Sequence, residues 1–123
     1  MDRYFLVVLG GGLGSLLRYV ASTAINARIG GRFPLGTMVI NITGSFLIGV
    51  LMVLLTEPLQ PHPNWRLLLI VGFLGGYTTF STFEFETYQF MRNGGYWIGV
   101  TNVLASVILG YAGVWLGAEI TRR

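Results

Sequence analysis

Four apolar runs limit what this chain can become more than any other feature. Tyr4 to Ala27, Leu35 to Thr56, Arg66 to Met91 and Tyr96 to Glu119 each hold about 20 residues or slightly more. As helices rising about 1.5 Å per residue, each is long enough to cross roughly 30 Å of hydrocarbon. A water-soluble domain carries roughly a quarter of its residues as charges. Here 11% are charged, 53% are hydrophobic and mean hydropathy is +0.65. None of the runs alternates strictly between apolar and polar residues, which removes a transmembrane β-barrel. The fold class is all-α integral membrane: four transmembrane helices forming a single domain over residues 1–123.

Several functions are excluded by what the chain lacks. There is no cysteine, hence no disulfide or thiolate site, and His62 is the single histidine. With no second histidine or acidic cluster near it, transition-metal and histidine-based chemistry have no basis. The net charge of +3 comes wholly from arginines scattered among short connections. That pattern gives nucleic acid no surface to dock on, and lipid headgroups are the natural neighbours of such residues. The first run reads as a retained span rather than a cleaved leader, because Arg18 interrupts what would be the apolar core of a signal peptide. Connections fall at Arg28 to Pro34, at Glu57 to Asn64 with Pro58, Pro61 and Pro63, and at Arg92 to Gly95. Trp65, Tyr96 and Trp97 mark membrane interfaces.

Orientation is nearly undetermined. Four spans place Arg3, Arg66, Arg122 and Arg123 on one side and Arg28, Arg32 and Arg92 on the other. The positive-inside rule needs an excess, and four against three barely supplies one. Two readings stand: a single weakly set orientation, or insertion both ways and pairing with an inverted copy, as inverted repeats do within longer chains.

The third run contains its own interruption, between Gly72 and Glu86. Gly75 and Gly76 carry a high backbone-entropy cost in a helix, and the β-branched Thr78 and Thr79 compete for backbone groups. Irregular backbone at bilayer depth is tolerated only inside protein or beside a wet cavity. Phe80 and Phe83 follow one helical turn apart. Taken alone, such a pair is core or lipid contact. Beside a break and with Thr79, Thr82 and Glu86 on the same stripe, it points to an ion site. An aromatic ring has a positive edge, so two rings can hold an anion without a full positive charge.

Other polar groups inside the spans follow helical spacing. Thr37, Asn41, Ser45 and Gly49 recur every four residues in the second run, either as interhelical glue or as donors to an ion. Gly99, Asn102, Ser106, Gly110, Gly113 and Gly117 share one face of the fourth. Its glycines read as a packing seam, while Asn102 and Ser106 are open to lining a path. Arg18 is the costliest residue, about 2.5–3.5 kcal/mol at midspan on insertion scales. It serves either to raise the potential for anions in a vestibule or to bond helix-end carbonyls.

Three motifs in order then identify a resemblance. G-G-L-G-S-L-L-R ending at Arg18, G-T-M-V-I-N-I-T-G-S-F-L-I-G around Asn41 and G-F-L-G-G-Y-T-T-F-S-T-F around Phe80 resemble the small dual-topology fluoride channels, the Fluc family. The resemblance implies an antiparallel homodimer of four-helix subunits in a bacterial inner membrane, with two pores and a broken third helix. It implies that Phe80 and Phe83 line the pores with their ring edges and that Asn41 donates its amide to fluoride. Ser81, Thr82, Glu86, Thr37 and Ser106 would complete the polar lining. It also implies one structural sodium ion, not transported, held at the dimer centre by the main-chain carbonyls of Gly75 and Thr78. Tyr77 and Gly110 depart from the family's pattern, the first by its bulk and the second by lacking a hydroxyl.

Passive fluoride export needs no ATP site, and no Walker motif is present. One alternative is a small proton-coupled multidrug exporter, which requires a membrane-embedded carboxylate; Glu86 is the candidate, and the first span holds Arg18 instead. Another is an assembly subunit that transports nothing. An enzyme is not expected, since no nucleophile and base can be paired.

Overall fold

The computed structural model describes residues 2–29, 33–56 and 62–123. The expected connection residues Gly30, Gly31, Arg32, Glu57, Pro58 and Pro61 lie outside that description. Two long helices come first, α1 (Arg3–Ile29) and α2 (Leu35–Thr56). A π-helical stretch, π1 (Arg66–Leu74), runs directly into a short turn, α3 (Gly75–Tyr77). Helices α4 (Phe80–Arg92) and α5 (Tyr96–Arg122) complete the chain. Among the described residues, four segments are thereby long and apolar enough to cross a membrane.

Local chemistry explains most helix ends. Asp2 Oδ1 accepts the Tyr4 N–H at 2.7 Å and caps α1. The cap of α2 comes from another helix: Asn26 Oδ1 of α1 accepts the Gly36 N–H at 2.9 Å. At the end of α4 the Gly95 N–H reaches back to the Phe90 carbonyl at 2.7 Å, and Gly94 takes φ +87°. This left-handed glycine closure turns the chain sharply into α5. Helix α1 runs two residues beyond the span expected from hydropathy, to Ile29, and α5 runs three beyond, to Arg122. Hydropathy marks the edge of the hydrocarbon, whereas arginines in a last turn extend a helix by complementing its dipole.

Close packing depends on glycine. The most extensive helix pair is α2 with α5, and α1 lies along π1 and α3. A Cβ on Gly117 would collide with the Phe46 carbonyl oxygen, and one on Gly49 with that of Val114. On the other side of the bundle, Gly10 abuts the Leu68 carbonyl and Gly14 that of Phe73. Backbones this close gain the dispersion contacts that drive association where there is no water to expel. The glycines of α5 are not equivalent, however. Gly113 and Gly117 meet α2, Gly99 sits on the Met91 side chain, and Gly110 would make only an ordinary contact, 3.6 Å from Ser45 Oγ. Large apolar side chains such as Val8, Leu13, Trp97 and Ile108 face outward, as lipid requires.

Substituting Gly117→Val therefore pushes α5 off α2. It should destabilise the folded protein by about 1–3 kcal/mol, read as earlier thermal unfolding in detergent. Gly110→Ala, with room for its methyl, should change stability by under about 1 kcal/mol.

Candidate functional site

The segment after α3 is where the helical ladder stops. Thr78 takes φ −91°, ψ 158° and Thr79 takes φ −147°, ψ 123°, both extended, before α4 begins at Phe80. Each main-chain group orphaned here needs a partner, because hydrocarbon supplies none.

Three side chains provide most of them. The Thr79 N–H would bond the Gly75 carbonyl in a continuous helix; instead it donates to Asn41 Oδ1 at 2.8 Å. Asn41 Nδ2 donates in return to the Thr79 carbonyl at 3.0 Å. The carbonyl of Gly76 accepts from Arg18 Nε at 2.9 Å. The Thr82 N–H, the helical donor for the Thr78 carbonyl, goes to Thr79 Oγ1 at 3.2 Å. Thr78 keeps its own tie backward, with both N–H and hydroxyl on the Leu74 carbonyl at 3.0 and 2.9 Å. The outcome is specific: the donors that a helix would give Gly75 and Thr78 are both spent elsewhere.

Tyr77 anchors the turn from the other side. Its hydroxyl lies 2.8 Å from Thr43 Oγ1, and Thr43 donates its own proton to the Val39 carbonyl at 2.8 Å. The tyrosine must then be the donor in that pair. Its ring is buried and stacks on Phe73, with centroids 6.0 Å apart. The bulk expected to be out of place at residue 77 fills the core beside Ile40 and Leu74.

A cavity of about 330 Å³ opens beside the interruption, lined among others by Asn41, Ser45, Gly75, Thr78 and Phe80. Main-chain carbonyls are hard oxygen ligands suited to a hard cation. The Gly75 and Thr78 oxygens, deprived of helical donors, fit that description. Among the described residues no group of His, Cys, Asp or Glu comes together to hold a metal.

The remaining candidates fall into two further groups. The Phe80 and Phe83 rings touch at 5.9 Å between centroids, tilted by 55°. They are not alike: Phe83 is buried, whereas Phe80 is 74% exposed on this single chain. From Phe83 a string of bonds runs inward. Its carbonyl accepts from Thr87 Oγ1 at 2.9 Å, Thr87 accepts from Asn102 Nδ2 at 3.0 Å, and Asn102 Oδ1 accepts from Ser106 Oγ at 3.3 Å. Asn102 is 1% exposed, so this string is fully internal there. The second group sits nearer the α1–α2 end. Thr37 is buried. Glu86 Oε1 is buried without a partner, beside a polar cavity of about 470 Å³ that Asn26, Gln89 and Asn93 also line. Ser81 and Thr82 are exposed on the first turn of α4.

Sequence reasoning missed Thr87, Thr43 and Asn26. Each is polar at a helical position that looks like many others, and only the partner across the bundle distinguishes it.

Four apolar helices around polar groups at an interrupted segment make this a multi-pass membrane protein. Residues 5–118 match the family described as CrcB-like protein, Camphor Resistance (CrcB), and the chain belongs to that family. It is 65% identical over 121 residues to a protein of Solibacter usitatus (strain Ellin6076), covering 98% of this chain and 99% of the relative. Over 115 residues it is 50% identical to one from Hydrogenobaculum sp. (strain Y04AAS1), covering 94% and 93%. A protein of Coxiella burnetii (strain CbuK_Q154) is 46% identical over 119 residues, 96% of each chain. All three relatives are named fluoride-specific ion channel FluC.

Replacing Asn102 by leucine keeps the number and branching of its side-chain heavy atoms and removes the link between Thr87 and Ser106. Such a bond inside a membrane protein is worth about 0.6–1.7 kcal/mol, so Asn102→Leu should lower stability by that order in a detergent unfolding titration. Tyr77→Phe should cost about 0.5–1.5 kcal/mol, with Thr43 still satisfied by Val39.

Proposed function

We propose that this chain is a passive, fluoride-selective channel that lets cytoplasmic fluoride leave the cell, built as two copies in opposite orientations. The observation that carries the reading is its similarity, over nearly its whole length, to proteins named fluoride-specific ion channels. It acts as a channel and not as an enzyme. The proposed location is the inner membrane of a bacterial cell.

Fluoride is a small ion that only accepts hydrogen bonds and holds its water tightly. A pore must replace that water with donors, and those donors must let go. Neutral groups meet both demands, because binding has to be weak enough for exit. Asn41 spends one N–H on Thr79 and keeps a second for an anion. The Phe80 and Phe83 edges and the Ser81, Thr82, Thr37 and Ser106 hydroxyls continue the donor lining, and Glu86 stands at its polar border. Driving force comes from the inside-negative potential, about 2.3 kcal/mol per charge per 100 mV. Hydrogen fluoride enters uncharged and dissociates in the more neutral cytoplasm, so export needs no coupled ion.

The inverted pair has independent support. The arginine balance barely favours either orientation, and the exposed Phe80 and the Gly75–Thr78 cavity lie on a surface that a second copy would cover. A structural sodium ion at the centre would be held by the Gly75 and Thr78 carbonyls of both copies, and would raise the local potential for anions.

Liposomes holding the purified protein should release fluoride with no gradient of a second ion. Phe80→Ile and Phe83→Ile should each cut that flux by at least about ten-fold, equivalent to ~1.4 kcal/mol of barrier, without altering elution volume. Strict dependence on a proton gradient would favour the multidrug-exporter reading instead. Because the chain has no cysteine, a single cysteine appended after Arg123 provides a topology probe that leaves the arginine balance intact. Labelling from one face of sealed vesicles should reach about half the termini, as equal insertion in both directions requires; labelling of all or none would exclude the antiparallel pair.

A further inference from the structure

Asn41 makes two hydrogen bonds to the main chain of one residue, which is more than holding α2 against a neighbour demands. It meets Thr79 as a strand would, donating to its carbonyl and accepting from its N–H. Thr79 in turn spends its hydroxyl on the Thr82 N–H. Each bond removes the donor that an unbroken helix would return to a carbonyl four residues earlier, Gly75 in the first case and Thr78 in the second.

We propose that Asn41 and Thr79 are positioning residues for this carbonyl pair: by taking the N–H groups of Thr79 and Thr82, they keep the Gly75 and Thr78 oxygens available to a hard monovalent cation. The inference rests on the reading of the segment as the cation site of the proposed channel. It gives the two side chains a role exerted through the backbone, separate from any contact with a permeating anion.

Competition explains why both are needed. In hydrocarbon an unpartnered N–H seeks any acceptor within reach, and a helix offers one four residues back once Thr78 and Thr79 leave their extended conformation. Without the Asn41 oxygen, the Thr79 N–H returns to Gly75. Without the Thr79 hydroxyl, the Thr82 N–H returns to Thr78. Either change lets the ladder close over the interruption and consumes a ligand. Thr78 does not substitute: its hydroxyl is turned back to the Leu74 carbonyl at 2.9 Å, and the Thr79 and Thr82 N–H groups go to Asn41 and Thr79 instead. Other ties hold the turn without diverting a donor. Arg18 occupies the Gly76 carbonyl, and Tyr77 reaches Thr43. The diversion is confined to Asn41 and Thr79.

The test uses the full-length protein in detergent micelles and sodium chloride as the probe, followed by sodium-23 line broadening. Asn41→Leu and Thr79→Val should each weaken sodium binding about 10–100-fold, the usual effect of losing a group that orients a metal ligand. Thr79→Ser, which keeps the hydroxyl, should bind within about two-fold of the unsubstituted protein by the same reasoning. A merely structural role would lower stability without this pattern of loss and rescue. Variants that retain helicity and elution volume and bind sodium normally would overturn the proposal. A second measurement needs no variant: carbonyl-13C labels at Gly75 and Thr78 should shift on adding sodium, and labels that ignore it would also overturn the proposal. Fluoride flux is scored separately. A sodium-responsive protein that is tight to fluoride would sink the channel reading and leave this inference standing. A conducting protein whose labelled carbonyls are indifferent to sodium would do the reverse.

Discussion

Hydrocarbon does not tolerate a lone backbone N–H or carbonyl, and the arrangement of this molecule follows from how it meets that demand at Thr78 and Thr79. Two extended residues between helical turns cut several main-chain bonds within a segment long and apolar enough to cross a membrane. Asn41 from α2, Arg18 from α1 and the Thr79 hydroxyl within the segment itself take up most of the freed groups, and the Gly75 and Thr78 carbonyls are left without their helical donors. Each of those groups is costly in a membrane when unpaired. Brought together they satisfy one another, and the expense of burying an arginine is offset by a carbonyl that needed a donor.

This arrangement also sets how close the helices must come. Arg18 can reach Gly76 only if α1 lies almost on the backbone of the third segment. Gly10 and Gly14 permit that approach, and a Cβ on Gly76 itself would sit 3.0 Å from Ser15 Oγ. On the opposite side, the line from Asn41 through Ser45 to Gly49 is not one face. Steps of four residues advance by about 40° each at 100° per residue, so Gly49 is turned roughly 80° from Asn41. That rotation lets the same row face the interruption at one end and the α5 backbone, at Val114, at the other. Packing and site are set by one helical drift.

The fold class could be read from length and hydropathy because the bilayer imposes a single scale on every span. Glycines spaced for contact in α1 and α5 were legible for the same reason, since close approach demands small residues whatever the partner. Residue types alone marked the run from Gly75 to Thr79 as unfavourable to a helix, but Gly75 to Tyr77 stay helical and only Thr78 and Thr79 are extended. Its bonding was not legible. Asn41 meets Thr79 across 38 positions and Arg18 meets Gly76 across 58, and no local spacing encodes such pairs. For Arg18 the sequence left two roles open, and the bond to Gly76 supplies a helix-end carbonyl partner. Tyr77 looked too large for its place because it departs from the family's pattern, but its surroundings are set by Phe73 and Thr43. The polar string through Thr87 and Asn102 was half visible, since Asn102 and Ser106 share a helix face and Thr87 belongs to another element.

A charge asymmetry runs along the third segment, and it bears on why pairing by inversion suits the proposed channel. Arg18 delivers its guanidinium to the interruption, while Glu86 lies beyond the ring pair with one carboxylate oxygen buried and unpartnered. An anion moving past these groups in one direction meets the cationic end first, and in the other direction the acidic end. A single pore so built would pass current more easily one way, since a fixed charge tilts the local potential. In an antiparallel pair with two equivalent pores, the tilt of one is reversed in the other. The sum is then symmetric in voltage although neither pore is. In the proposed channel, inversion would thus allow the polar groups along each path to be chosen for dehydration and release of the ion, with no need to balance the two halves of one chain.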